Sequence, residues 1–239
     1  GLLPVVYFFR KNDSLLHFVK PVFDRRVFLK TCTNGSSELM TNLSMSLVNA
    51  LYNLQLMKIA GENGVAAYGA VMYVNFIFVA TFLGYAIGCA PVISYHYGAG
   101  NHAELKNLYK KSMSIILVWG VILFGAAQLL APVLSKIFVG YNTGLYAMTL
   151  HGFRVYAIAF LIIGINIFGS SFFTALNNGL ISAVISFLRT LMFQVIMVLT
   201  LPLWFGINGI WSAISVAEAL TLIMTTTFFV RQKDKYHYL

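Results

Sequence analysis

The chain has 239 residues, 59% of them apolar and 10% charged, and a mean hydropathy of +0.79. Soluble domains run at roughly 45–50% apolar and about 25% charged, so one small soluble core cannot hide this much apolar surface. Two cysteines, Cys32 and Cys89, exclude a disulfide scaffold, 20 Phe and 13 Tyr exclude disorder, and a net charge of +9 leaves nucleic acid or a membrane surface as its counterpart.

Residues 1–9 form an apolar run too short to span a bilayer, and they read as the end of a truncated preceding transmembrane helix. The chain opens on Gly rather than Met, and its first basic residues follow the apolar run, which argues against a removable signal peptide. Residues 10–35 interleave Arg10, Lys11, Lys20, Arg25, Arg26 and Lys30 with Leu, Val and Phe. That pattern suits a basic connector lying in the cytoplasmic interface.

Residues 36–230 then hold six long apolar runs: Leu39–Met57, Val65–Ile93, Ile115–Val139, Val155–Leu176, Ile181–Leu203 and Ile207–Val230. A hydrocarbon core about 30 Å thick needs about 20 helical residues, and each run reaches or approaches that length. Transmembrane strands would alternate over roughly ten residues, whereas these runs are continuous, so the expected fold class is an all-α membrane protein with a six-helix transmembrane bundle. Turn residues separate the runs, as at Gly61-Glu-Asn-Gly64, Gly98-Ala-Gly-Asn101, Asn177-Asn-Gly179 and Gly206-Ile-Asn-Gly209. Residues 231–239 form a basic tail.

Six crossings put the 10–35 connector, the 95–111 connector, the Asn177 turn and the tail on one side. That side carries thirteen of the Lys and Arg residues, counting Arg189 a few residues into its helix, and the other carries three, Lys58, Lys136 and Arg154. The positive-inside rule makes the basic side cytoplasmic, and the charge then reflects topology and anionic membrane lipid rather than nucleic acid.

Polar side chains inside the spans are where function is sought in such a protein. At 100° per residue, Glu38, Asn42, Ser46, Asn49 and Asn53 fall within an arc of about 80° on the first span, and Tyr156, Asn166, Ser170, Thr174 and Asn177 within a similar arc on the fourth. Two readings stand: the stripes line a hydrophilic cavity, or they hold helices together through interhelical hydrogen bonds. Tyr73, Phe76 and Tyr156 would add aromatic faces to a cavity, able to hold cations without a fixed partner.

Glu218 lies halfway along the last span, where an ionised carboxylate is costly, so it is a candidate coupling acid, with permanent pairing to Arg189 as the structural alternative. Glu38, in a first helical turn after Asn34-Gly-Ser-Ser37, is a second candidate, though an acid there complements the helix dipole whatever its function. Asn42-Leu-Ser44 matches a glycosylation acceptor but lies inside a span; Gly84-x-x-x-Gly88 permits close helix packing; His96 and His102 have no further ligands in sequence for a metal. No phosphate loop, nucleophile elbow or zinc motif is present, so nothing points to an enzyme, a cofactor or a metal.

Pro91-Val-Ile-Ser-Tyr-His-Tyr-Gly-Ala-Gly-Asn101, followed by a basic helix start, resembles a cytoplasmic loop of the multidrug and toxic compound extrusion (MATE) family. Phe173-Thr-Ala-Leu-Asn177, Arg189 in the next span, and Phe205-Gly-Ile-Asn-Gly-Ile-Trp211 leading to Ala217-Glu218 resemble the second half of the same transporters. The resemblance covers nearly the whole chain. It implies the C-terminal six-helix lobe of a twelve-helix transporter in the plasma membrane, exporting drugs or other xenobiotics, often cationic and amphipathic, in exchange for protons or sodium. It also implies that the chain is a fragment or pairs with an N-terminal or second lobe. The family's sodium-coupled branch carries an acid where Met45 stands, and another after a tyrosine in the span that here runs from Val155 to Leu176 without any. A proton gradient is therefore favoured over sodium. The alternatives are a flippase for lipid-linked oligosaccharide, whose cavity would favour several Arg and Lys where these spans place only Arg189 well inside, and a non-transporting scaffold or receptor.

Overall fold

The computed structural model describes Lys20 and residues 23–238, the side chains of residues 37, 38 and 40 excepted. The expected helix end at 1–9, most of the basic connector and the side chain of Glu38 lie outside the described residues. Two units are separable, residues 1–32 and residues 33–239. In the first, Asp24 caps a helix start, its carboxylate accepting from the backbone of Arg26 at 2.7 Å, and Phe23 and Phe28 pack ring to ring while remaining exposed.

The described residues fold into helices. Helix α1 runs from Arg25 to Gly98. If straight, its 74 residues would be about 110 Å long, far more than a bilayer needs. Gly61, at φ 62° and ψ −153°, turns the chain instead. Asn49 and Tyr68, 19 residues apart in sequence, share a hydrogen bond of 3.1 Å, and the rings of Tyr52 and Tyr68 stack 5.0 Å apart, so residues 33–60 and 62–98 form two limbs of a hairpin. That backbone conformation is open to glycine alone, which is why the turn falls there.

Helix α2 (His102–Val139) starts on Asn101, whose side chain accepts from the backbone of Glu104. Helices α3 (Thr143–Ala157) and α4 (Phe160–Ala175) meet at a 48° bend and together make one broken crossing. The bend has a cause: Gln128 of α2 donates to the carbonyl of Arg154, and the amide of Ile158 bonds Val155 rather than the residue four back. Helix α5 (Gly179–Phe187) is capped by Asn178 and passes through a π-helical turn, Leu188–Met192, into α6 (Phe193–Phe205), and α7 (Ile207–Tyr236) completes the bundle. With α1 counted as two passes, the described residues cross six times.

Small residues let these helices approach. A Cβ at Gly152 would sit 2.5 Å from the Trp211 indole, and one at Gly169 would sit 2.5 Å from Thr225, so α3 and α4 both pack against α7 at glycines. Gly84 and Gly88 behave differently: both are exposed, with nothing within 4 Å of an added Cβ, so that motif packs against nothing within the described residues. Hydroxyls add ties between helices, Ser94 and Ser171 joining the second limb of α1 to α4 and Trp119 bonding Thr81.

At the end bearing the 98–101 turn, the chain's last residues fold back. His237 adopts a left-handed conformation, Tyr238 is fully buried with its hydroxyl donating to the carbonyl of Phe229 at 2.8 Å, and Tyr236 accepts from Asn178. Burial, with the phenols of Tyr109 and Tyr236 nearby, pushes the pKa of Tyr238 up and keeps it a donor. This end also gathers the basic residues at the start of α2 and at the end of α7, Lys106, Lys110, Lys111, Arg231, Lys233 and Lys235.

Candidate functional site

The site is assembled where the α1 hairpin, the α3–α4 break, the π-helical turn and α7 converge. An apolar helix in a bundle exposes few polar groups, so each one facing inward must find a partner or water. Glu218 on α7 is 1% exposed. Its Oε1 accepts from Arg189 Nε at 2.9 Å, and its Oε2 accepts from Asn166 Nδ2 at 2.7 Å, while the same amide also reaches the Glu218 carbonyl at 2.9 Å. Arg189 lies within the π-helical turn, a local widening that re-aims side chains and often marks functional sites. The Arg189 side chain keeps 14% of its surface open against 1% for that of Glu218, so the ion pair sits at a boundary with the acid on the dry side. An ionised carboxylate this deep is tolerable because it is both paired and hydrogen-bonded.

Beside this group lies a cavity of about 450 Å³, within the range of drug-sized sites. Its wall is mostly apolar, with Met45 and Met72 from the two limbs of α1, Ile163 and Ile167 from α4, and Ile214 from α7. Polar edges come from Asn49, Asn75, Thr190 and Gln194, and phenols from Tyr52, Tyr68 and Tyr156. Arg189 and Glu218 are the Lys, Arg, Asp or Glu side chains on that wall among the described residues. Buried polar atoms without partners cluster here too: the Tyr52 hydroxyl, Asn75 Oδ1 and Asn166 Oδ1. Such atoms are places for water or a ligand.

The residues singled out from sequence divide. Asn49, Phe76, Tyr156 and Glu218 border the cavity, and Asn166 sits behind it on Glu218. Asn42, Ser46 and Asn53 lie exposed along the first limb and do not border it, Asn53 donating instead to the carbonyl of Asn49. Tyr73 turns away from the cavity and stacks on Phe138 of α2 at 5.9 Å. Ser170 and Thr174 turn onto α5, bonding Ser182 and Ser186. The fourth-span stripe is therefore split: its outer part joins two helices, and its inner part serves the carboxylate. Sequence reading missed Tyr52, Tyr68, Ser182, Ser186, Thr190 and Gln194. A signal existed for the serines, since Ser182, Ser186 and Arg189 fall within about 60° of one another on a helical wheel. Among the described residues, no group of three His, Cys, Asp or Glu could hold a metal ion.

The MatE family model matches residues 39–200. Among curated proteins none matches the chain. Solved structures do. A crystal structure of MATE in complex with MaL6 superposes with a TM-score of 0.89 at 19% identity, covering 100% of this chain and 54% of that one. MATE in the bent conformation gives 0.89 at 20%, covering 98% and 52%. The outward-facing conformation of a multidrug resistance MATE family transporter of the MOP superfamily gives 0.86 at 20%, covering 98% and 53%. At such identity the likeness is one of fold, and the chain spans about half the length of these proteins.

Proposed function

Since the chain belongs to the MatE family, we propose that it acts as one six-helix lobe of a cation-coupled antiporter, which exports amphipathic, often cationic compounds across the plasma membrane. The observation that carries this reading is Glu218, a 1%-exposed carboxylate at the edge of a drug-sized cavity and held by Arg189 and Asn166. With Glu218 ionised, it and Arg189 cancel, and a cation in the cavity meets aromatic faces and amide dipoles without net repulsion. With Glu218 protonated, the Arg189 charge is left uncompensated and the cation is disfavoured. Proton and substrate therefore exclude each other, which is the requirement of exchange.

Alternating access supplies the rest, through two packings of the lobe whose balance shifts with the charge on the acid. One pH unit contributes about 1.4 kcal/mol per proton and 100 mV about 2.3 kcal/mol per charge, enough to concentrate a substrate several-fold to tens-fold. Tyr52, Tyr68 and Tyr156 hold a planar cation, and Met45 and Met72 repack around different shapes. A proton is favoured over sodium because Met45 and the acid-free α4 lack the carboxylates of the family's sodium-coupled branch. Residues 10–35 and 231–239 face the cytoplasm in this scheme, against anionic lipid, and a second lobe completes the chamber.

Ethidium efflux from vesicles holding the protein under an imposed pH gradient tests the reading. Glu218→Gln is expected to abolish gradient-driven efflux while ethidium still binds. Efflux at the unsubstituted rate with intact proton coupling would remove Glu218 from the mechanism.

A further inference from the structure

Glu218 engages only part of Arg189. A guanidinium presents its N–H donors as a planar fork, and here Nε alone is used, at 2.9 Å from Glu218 Oε1. The two Nη groups make no hydrogen bond among the described residues, and neither is closed off by the packing. Arg189 borders the cavity of about 450 Å³, whose wall is otherwise mostly apolar. We propose that protonation of Glu218 turns Arg189 into a binding site for an organic anion, a carboxylate or sulfonate carried on an apolar ring; this rests on the reading of Glu218 as the coupling acid.

The charge on Glu218 decides whether that site is open. With Glu218 ionised the pair is neutral, and a second acid brought to Arg189 meets a like charge across the guanidinium where little water screens it. Protonation removes that charge. It leaves a weakly hydrated, planar donor fork whose geometry matches a carboxylate or sulfonate. The ligand then takes over the counter-ion role that Glu218 gave up, and the site returns to zero net charge. The other titratable groups that face Glu218 are phenols, Tyr52 and Tyr68 from α1 and Tyr156 from α3, while α4 brings the neutral Asn166 amide. Among the described residues no further Lys, Arg, Asp or Glu borders the cavity, so the balance lies between Glu218, Arg189 and the ligand.

The rest of the wall suits the ring that carries the acid. Met72 from α1 and Ile163 and Ile167 from α4 offer apolar surface, and the rings of Tyr52 and Tyr156 border the same space. A small inorganic anion has nothing to place against them. Because the ligand binds together with the proton, an organic acid crosses in the proton's direction, opposite to the exported cation.

Titration calorimetry of naphthalene-2-sulfonate binding to the purified protein tests this, since the sulfonate stays ionised throughout. Its association constant is expected to rise about tenfold for each unit that the pH falls, until Glu218 is protonated in the free protein. About one proton is taken up per ligand, read from the heats in buffers of different ionisation enthalpy. Glu218→Gln is expected to bind as tightly as the acidified parent and without pH dependence. Glu218→Gln with Arg189→Met is expected to bind about tenfold more weakly or worse at every pH. The proposal is overturned if the parent binds without proton uptake, if Glu218→Gln binds no more tightly than the parent at alkaline pH, if the double variant matches Glu218→Gln, or if inorganic sulfate binds as well as the naphthalene compound. Proton uptake by the parent decides the matter even if neither variant folds. Proton-linked sulfonate binding without pH-driven ethidium efflux would sink the antiport reading and leave the anion site standing, and efflux without such binding would do the reverse.

Discussion

Removing the Arg189 guanidinium leaves the Glu218 carboxylate, 1% exposed, facing the Asn166 amide alone. A buried pair broken on one side costs about 3–5 kcal/mol, because the surviving charge keeps its desolvation penalty. Arg189→Met is therefore expected to lower thermal stability in detergent by that order, and Arg189→Met with Glu218→Gln to recover most of it. A single variant as stable as the parent would show that the pair carries no such load. Sequence brought attention to Glu218 because a carboxylate in an apolar run stands out without reference to any neighbour. Arg189, the basic residue set well inside the spans, was legible as a pairing partner and the structure shows that pair, whereas Asn166 was not legible as a partner. Asn166 is 52 residues away, and periodicity fixes a side chain's angle about its own helix but not the neighbour it meets.

At the scale of the element, the α1 hairpin depends on Gly61, whose φ of 62° and ψ of −153° belong to a region that side chains exclude. Gly61→Ala is expected to cost about 1–3 kcal/mol and to loosen the stacking of Tyr52 on Tyr68, read by thermal unfolding and near-ultraviolet dichroism. No change in either would mean that the chain reverses there without glycine. The breaker Ala60-Gly-Glu-Asn-Gly64 was visible in the sequence as a turn between two spans. The bend between α3 and α4 was not, since it contains neither Pro nor Gly and arises when Gln128 of another helix takes the Arg154 carbonyl. The π-helical turn at Leu188–Met192 was equally hidden, because its five residues, Leu-Arg-Thr-Leu-Met, are ordinary helix formers or neutral.

For the whole molecule, an even number of passes puts the turns into two sets. Residues 98–101, 176–178 and the tail meet at one end through Tyr97, Asn178 and Tyr236, and the turns at Gly61, Tyr141 and Gly206 belong to the other. In a background of Cys32→Ser and Cys89→Ser, a membrane-impermeant maleimide is expected to label Ala99→Cys only from the cytoplasmic side and Tyr141→Cys only from outside; both positions are exposed. Labelling of both from one side would contradict six crossings. Asn42, Ser46 and Asn53 face out from the first limb, on a surface that this lobe leaves open.

Composition and order alone determined that this is a multi-pass membrane protein, how its apolar runs are spaced and which side carries the basic residues, because burial in lipid acts on each segment by itself. Tertiary structure alone decided that Tyr52 and Tyr68 rather than Tyr73 border the cavity, and that Ser170 and Thr174 meet α5. It also decided that Glu218 is held by two other helices at once. Lipid is as apolar as a helix face, so hydrophobicity cannot tell a side chain which way to turn; close packing and hydrogen bonds between helices make that choice.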